Sequence, residues 1–225
     1  HSGQKCSAQS IMFMHRNWRK TDILEKWKQQ TEKRNLDNLT IGPVFTWDNE
    51  DIKNHIDDVL ALDGSEILMG GKPLKNHSIP AIYGSYEPTV IKVPLKHMRS
   101  KKKRDIICTE LFGPFSIVVE YGDKDIDFVL ETLEGLPHHL TAACVSNDPI
   151  FNDKVISKTL NGTQYTGMRA RTTGAPQNHW FGPSGDPRGA GIGTPYAITL
   201  TWSHHREIIS DVGPIPEDWK MPPPA

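Results

Sequence analysis

Over its first 166 residues the chain alternates short apolar runs with amphipathic stretches of helical period, and this alternation constrains the fold more than any other feature. IMFMH (11–15), SEILMGG (65–71), PTVIKVPL (88–95), FSIVVEY (115–121) and LTAACVS (140–146) read as short strands, IMFMH and LTAACVS as buried ones and FSIVVEY as the clearest. Between them lie helical patterns. Asp22 and Glu25 have capping-box spacing at the head of DILEKWKQQTEK, whose Ile23, Leu24 and Trp27 share a face. Ile52, Ile56, Val59 and Leu60 recur at helical spacing through residues 46–62, with Gly64 as the stop. Ile126, Val129, Leu130 and Leu133 mark a third helix, and Asp148-Pro149 starts a fourth that ends near Gly162. A repeating strand–helix order predicts an α/β fold, with a mostly parallel sheet flanked by helices on both faces.

Beyond residue 166 the pattern breaks. TTGAPQNHWFGPSGDPRGAGIGTP (172–195) crowds glycine and proline ahead of a last strand-like run, AITLTW, and a Pro-rich tail. A long glycine-rich segment of this kind more often serves a site than a core. Its 225 residues with 36% hydrophobic content suffice for a sizeable core. The 26 basic and 27 acidic side chains nearly cancel, so no broad field draws the chain to nucleic acid or to an anionic membrane. No apolar run is long enough to span a bilayer, and the first residue is His1, so targeting information is expected to be missing from this sequence.

Several chemical-looking clusters have plainer readings. GAGIGTP lacks the preceding strand and following helix of a dinucleotide fingerprint. RSKKKRD (99–105) has no interleaved aromatics and reads as a solvated loop. The adjacent pairs His138-His139 and His204-His205 have no carboxylate or cysteine at ligand spacing, so no metal is expected. His55 lies on an apolar helical stripe and reads as structural. Cys6, Cys108 and Cys144 are odd in number, far apart and without CxxC spacing, which suits free thiols in a reducing compartment. Any one of them taken alone is best read as a small packed side chain.

The order of four motifs changes that reading for Cys6. GQKCSAQS (3–10), TELFGPF (109–115), HLTAACVSNDP (139–149) and NHWFGPSGDPRGAGIGTPYA (178–197) follow one another as they do in aldehyde dehydrogenases. The chain resembles the catalytic domain of that superfamily. LTIGPV (39–44), NHSIPAIYG (76–84) and RTTGAPQNHWFGPSGDPRGAGIGTP (171–195) look like the plant- and protist-type 1-pyrroline-5-carboxylate dehydrogenases, which oxidise L-glutamate γ-semialdehyde.

The resemblance implies a role for particular residues. Cys6 matches the nucleophile, Glu110 the carboxylate that holds the nicotinamide ribose hydroxyls, and Phe112 the aromatic beside it. Phe181 matches an aromatic wall of the substrate pocket. Ser7 and the backbone of Gly174 and Ala175 match the anchor for the substrate carboxylate. The resemblance also implies NAD as cofactor, a mitochondrial matrix location, a homo-oligomer, a thiol domain over 1–196 and an oligomerisation element over 197–225. The NAD-binding domain, the general-base glutamate and an oxyanion-hole asparagine are expected upstream of this chain. In such chemistry a thiolate adds to the aldehyde carbon, backbone N–H groups stabilise the alkoxide, and a thioester is later hydrolysed. Lys5 either favours the thiolate or is simply exposed. Two other classes fit a cysteine in this setting: an NAD-independent acyl transferase or hydrolase, for which His15 is the nearest base, and a non-catalytic assembly module.

Overall fold

The computed structural model describes residues 1–5, 8–137, 139–172 and 203–220. They fall into two compact units, one of residues 1–126 and one from Asp127 onward.

In the first unit, strand β1 (Ile11–His15) leads through a 3-10 turn to α1 (Ile23–Glu32), then α2 (Asn49–Leu60), β2 (Glu66–Met69), β3 (Thr89–Pro94), α3 (Lys101–Cys108) and β4 (Phe115–Tyr121). The sheet order is β1-β4-β3-β2. β1 and β3 both run parallel to β4, with Ile11 opposite Ile117 and Ile91 opposite Ile117 on the other side, while β2 closes the edge antiparallel to β3. Because successive side chains alternate between faces, one face presents Met14, Val90 and Val118, which with Met69 receive Ile23, Leu24 and Trp27 of α1. Ile91, Val93, Ile117 and Val119 point the other way and are fully buried. α2 packs on β3 and α3 on α2, contributing buried Ile52, Ile56, Val59 and Ile107. The sheet of this unit is thus covered on both faces, as the strand–helix order predicts.

The second unit contains α4 (Ile126–Glu134), β5 (Thr141–Cys144), α5 (Pro149–Ser157), β6 (Thr163–Thr166) and β7 (Glu207–Ser210). Its three strands are parallel in the order β5-β6-β7. The strand-like run AITLTW lies outside the described residues, whereas Glu207–Ser210 just beyond it pairs with β6.

Three local expectations are corrected. RSKKKRD is not a loop: Lys101–Cys108 is helical, because Lys and Arg are good helix formers, Lys101 pairs with Asp105 one turn on, and Ile107 is drawn into the core. The solvated part holds, since Lys101, Lys102 and Lys103 are exposed. The capping box of Asp22 and Glu25 does not form: Asp22 has non-extended backbone and gives its carboxylate to Lys26 at 2.8 Å, while Glu25 accepts from Gln29. The helix begun by Asp148 ends at Ser157, not near Gly162, with Asp148 accepting from the amides of Ile150 and Phe151 as an N-cap.

Candidate active site

The chain approaches β1 through the GQKCSAQS segment and β4 through the TELFGPF segment, and because β1 and β4 are parallel neighbours these two approaches lie side by side. The Ile117 amide donates to the Ser10 carbonyl at 2.9 Å, which extends the ladder back from β1. The Ser10 hydroxyl donates to Glu110 Oε1 at 3.0 Å. Gly3, Ser10, Cys108, Glu110, Phe112 and Phe115 are among the residues that line one shallow recess between the two segments.

Two glycines let the segments approach. Gly3 has φ +77°, and a Cβ there would fall on the Gly113 carbonyl oxygen. A Cβ on Gly113 would sit 3.0 Å from Val44. Phe112, between Glu110 and Gly113, has φ +45°, which a bulky residue rarely adopts, so the ELFGP turn is held in a strained backbone conformation.

The segment before β1 is tied down from a third direction. Gln4 Nε2 donates to the Pro43 carbonyl at 2.7 Å, and Gln4 Oε1 accepts from the Phe45 amide at 2.9 Å. Ser2 Oγ accepts from the Gly42 amide at 2.7 Å. The Ala8 amide donates to the Lys5 carbonyl at 2.8 Å, so the chain on either side of positions 6 and 7 is held together. Lys5 is exposed.

Of the residues singled out from sequence, Glu110 and Phe112 are brought to the recess, Glu110 exposed and Phe112 half-buried. Cys6, Ser7, Gly174, Ala175 and Phe181 lie outside the described residues. His15 is not brought to the recess. It ends β1, about 16 Å of strand beyond Ser10 at the usual rise per residue. There its Nε2 meets Asp123 at 3.0 Å and its Nδ1 accepts from the Asn17 amide. His15 is therefore held away from the recess, with both ring nitrogens engaged. His55 is buried with its ring 5.5 Å from Phe115, which lines the recess. Burial lowers its pKa, with the Asp58 charge opposing. Burial also pushes the Cys108 and Cys144 thiols up to about 11, leaving both in the poorly nucleophilic thiol form at neutral pH. Gln4, Gly3 and Ser10 escaped the sequence reading as site residues, although all three stand in the motif quoted around Cys6.

The aldehyde dehydrogenase family model matches residues 1–183. The chain belongs to the aldehyde dehydrogenase family. It is 56% identical over 223 residues to Delta-1-pyrroline-5-carboxylate dehydrogenase 12A1, mitochondrial, of Arabidopsis thaliana, a match covering 99% of this chain and 40% of that protein. It is 54% identical over 222 residues to a probable aldehyde dehydrogenase of Linum usitatissimum, with the same shares covered. The chain thus spans 40% of the length of these family members. Among solved structures, aldehyde dehydrogenase 21 from Physcomitrella patens, in complex with the reaction product succinate, superposes with a TM-score of 0.60 at 16% identity, over 80% of this chain and 34% of that one. Succinate-semialdehyde dehydrogenase from Burkholderia pseudomallei gives 0.58 at 22% identity, over 73% and 32%. Likeness at these identities establishes the aldehyde dehydrogenase fold.

Proposed function

We propose that this chain is the thiol-bearing portion of an NAD-dependent aldehyde dehydrogenase that oxidises L-glutamate γ-semialdehyde to glutamate. The observation that carries the reading is the meeting of the GQKCSAQS and ELFGP segments around one recess, with Ser10 bonded to Glu110. The 56% identity to the Arabidopsis enzyme named for pyrroline-5-carboxylate supports the substrate, and its mitochondrial name supports a mitochondrial location.

In this reading Cys6 is the nucleophile. Its thiolate adds to the aldehyde carbon, forming the C–S bond of a hemithioacetal, and flanking backbone N–H groups donate to the developing alkoxide oxygen. NAD, when bound, supplies the two-electron acceptor through which the hemithioacetal becomes a thioester. Water then breaks the C–S bond, releasing glutamate and restoring the Cys6 thiol. The donor set at the recess fits the ribose of that cofactor: Glu110 is exposed, one carboxylate oxygen accepts from Ser10, and a carboxylate has capacity for further hydroxyl donors. Phe112 supplies an apolar surface beside it.

At the substrate's other end, Ser7 and the backbone amides of Gly174 and Ala175 anchor the α-carboxylate, and Phe181 walls the pocket. Residues 1–196 act as the thiol domain and residues 197–225 as an oligomerisation element of a homo-oligomer. The general base belongs to the part of the family's length that this chain does not span, so the 225 residues alone form no NADH. Comparing glutamate semialdehyde with an unsubstituted aldehyde of similar length tests the specificity in the full-length gene product. The carboxylate is expected to favour the former in kcat/KM by about 2–4 kcal/mol, the scale of charge-assisted hydrogen bonds in a buried site, and Ser7→Ala narrows the gap. Equal use of the two aldehydes by the parent counts against the carboxylate anchor.

A further inference from the structure

We propose that Gln4 is a positioning residue, whose carboxamide fastens the Cys6-bearing segment to residues 42–46, the same stretch that holds the loop of Glu110. The inference rests on the reading of Cys6 as nucleophile and deepens it.

A carboxamide carries one donor and one acceptor side by side, the same pair that a peptide group presents to a neighbouring strand. Gln4 uses both on main-chain groups two residues apart, the Pro43 carbonyl and the Phe45 amide, at 2.7 and 2.9 Å. Such two-point contact fixes direction as well as distance. One residue, Lys5, separates this anchor from Cys6.

The partner stretch is itself rigid. Val44 is 1% exposed and exchanges two hydrogen bonds with Gly84, at 2.8 and 2.9 Å. On its other side Thr46 Oγ1 donates to the Leu111 carbonyl at 3.3 Å, and Gly113 packs so closely on Val44 that it has no room for a Cβ without displacement. Residues 42–46 therefore touch both walls of the recess: the thiol segment through Gln4 and Ser2, and the cofactor loop through Leu111 and Gly113. The LTIGPV motif, which the proposed chemistry leaves without a role, ends inside this stretch. Loss of one anchor leaves the folded sheet intact and lets the two walls shift against each other.

The test uses the full-length gene product, with Gln4→Ala, which removes the bonds to Pro43 and Phe45 together with a local donation to the His1 carbonyl, and Gln4→Glu, which keeps the length and the acceptor but loses the donor facing Pro43. Turnover per folded molecule, KM for aldehyde, thermal midpoint, and the rate of iodoacetamide labelling at each cysteine by mass spectrometry are measured. A misplacement of about 1 Å is worth about 10²-fold in rate, so kcat is expected to fall about 10- to 100-fold in Gln4→Ala, with KM changed less than about threefold. The labelling rate at Cys6 changes while those at Cys108 and Cys144 do not. Gln4→Glu falls between parent and Gln4→Ala, and serves alone if the alanine variant does not fold. A lowered thermal midpoint with unchanged kcat per folded molecule and unchanged Cys6 labelling makes Gln4 merely structural and overturns the proposal. If Cys6→Ala retains turnover, the underlying assignment of the nucleophile fails instead, whatever Gln4 does.

Discussion

The Ser10 hydroxyl donates to Glu110 Oε1 at 3.0 Å, joining two residues 100 positions apart in sequence. It is the one side-chain bond among those described that runs directly from the Cys6-bearing segment to the carboxylate proposed to hold the cofactor ribose. Ser10→Ala frees Glu110 to change rotamer. Since an exposed hydrogen bond of this kind is worth about 0.5–1.5 kcal/mol, KM for NAD is expected to rise about two- to tenfold with kcat nearly unchanged. NAD saturation curves for parent and variant check this, and a fall in kcat without a change in KM contradicts it.

Gly3→Ala is the sharpest steric probe of the recess. The left-handed backbone at Gly3 and the clash of a new Cβ with the Gly113 carbonyl both oppose it. A cost of about 1–3 kcal/mol in unfolding free energy is expected, with loss of turnover as the two segments part. Urea unfolding and initial NADH rates measure the two effects. A variant as stable and active as the parent removes the close approach from the account.

His55 makes stability depend on pH. Its folded-state pKa is depressed below the ordinary value of 6.5 by burial, and its Nε2 has no hydrogen-bond partner. The unfolded chain therefore binds a proton at His55 before the folded one does. The stabilisation is fully present above about pH 6.5 and is lost as pH falls through the folded pKa. Thermal midpoints between pH 8 and pH 5 are expected to decline for the parent and to decline less for His55→Phe, which cannot titrate and keeps an aromatic ring against Phe115. Parallel declines in the two proteins contradict this.

Cys108 and Cys144 are expected to be bystanders. With thiols held up to about 11, only about one molecule in a thousand carries either thiolate at pH 8, and alkylation there is correspondingly slow. Cys108→Ala and Cys144→Ala are expected to keep turnover within about threefold of the parent, because neither thiol reacts. Loss of turnover in either, to the level of Cys6→Ala, transfers the nucleophile to that residue.

Much of the first unit was legible because its signals are local. IMFMH, PTVIKVPL and FSIVVEY form β1, β3 and β4, and the stripe of Ile52, Ile56 and Val59 faces the core. Helix α3 was missed because four successive basic residues at a helix start oppose the macrodipole and look like solvated chain, whereas Ile107 packing decides the matter through contacts that lie outside the window. Asp22 failed as a cap for a similar reason, its carboxylate having a competing lysine one turn away.

The site was legible only through motif order. Periodicity says nothing of a recess at the N-terminal ends of β1 and β4, and open α/β sheets ordinarily place ligands at the carboxyl ends. Glu110 by itself is an exposed carboxylate and Phe112 a half-buried aromatic. Gln4 and Ser10 acquire meaning from partners 39 to 100 residues away, a separation no local pattern encodes.

The most direct test is turnover of Cys6→Ala beside the parent full-length gene product, with NAD and glutamate semialdehyde, following NADH and trapping the acyl intermediate by acid quench and peptide mass spectrometry. The account predicts a thioester on the Cys6 peptide of the parent, and in Cys6→Ala neither adduct nor NADH above background. An adduct on another peptide, or NADH formation by Cys6→Ala at the parent rate, contradicts it.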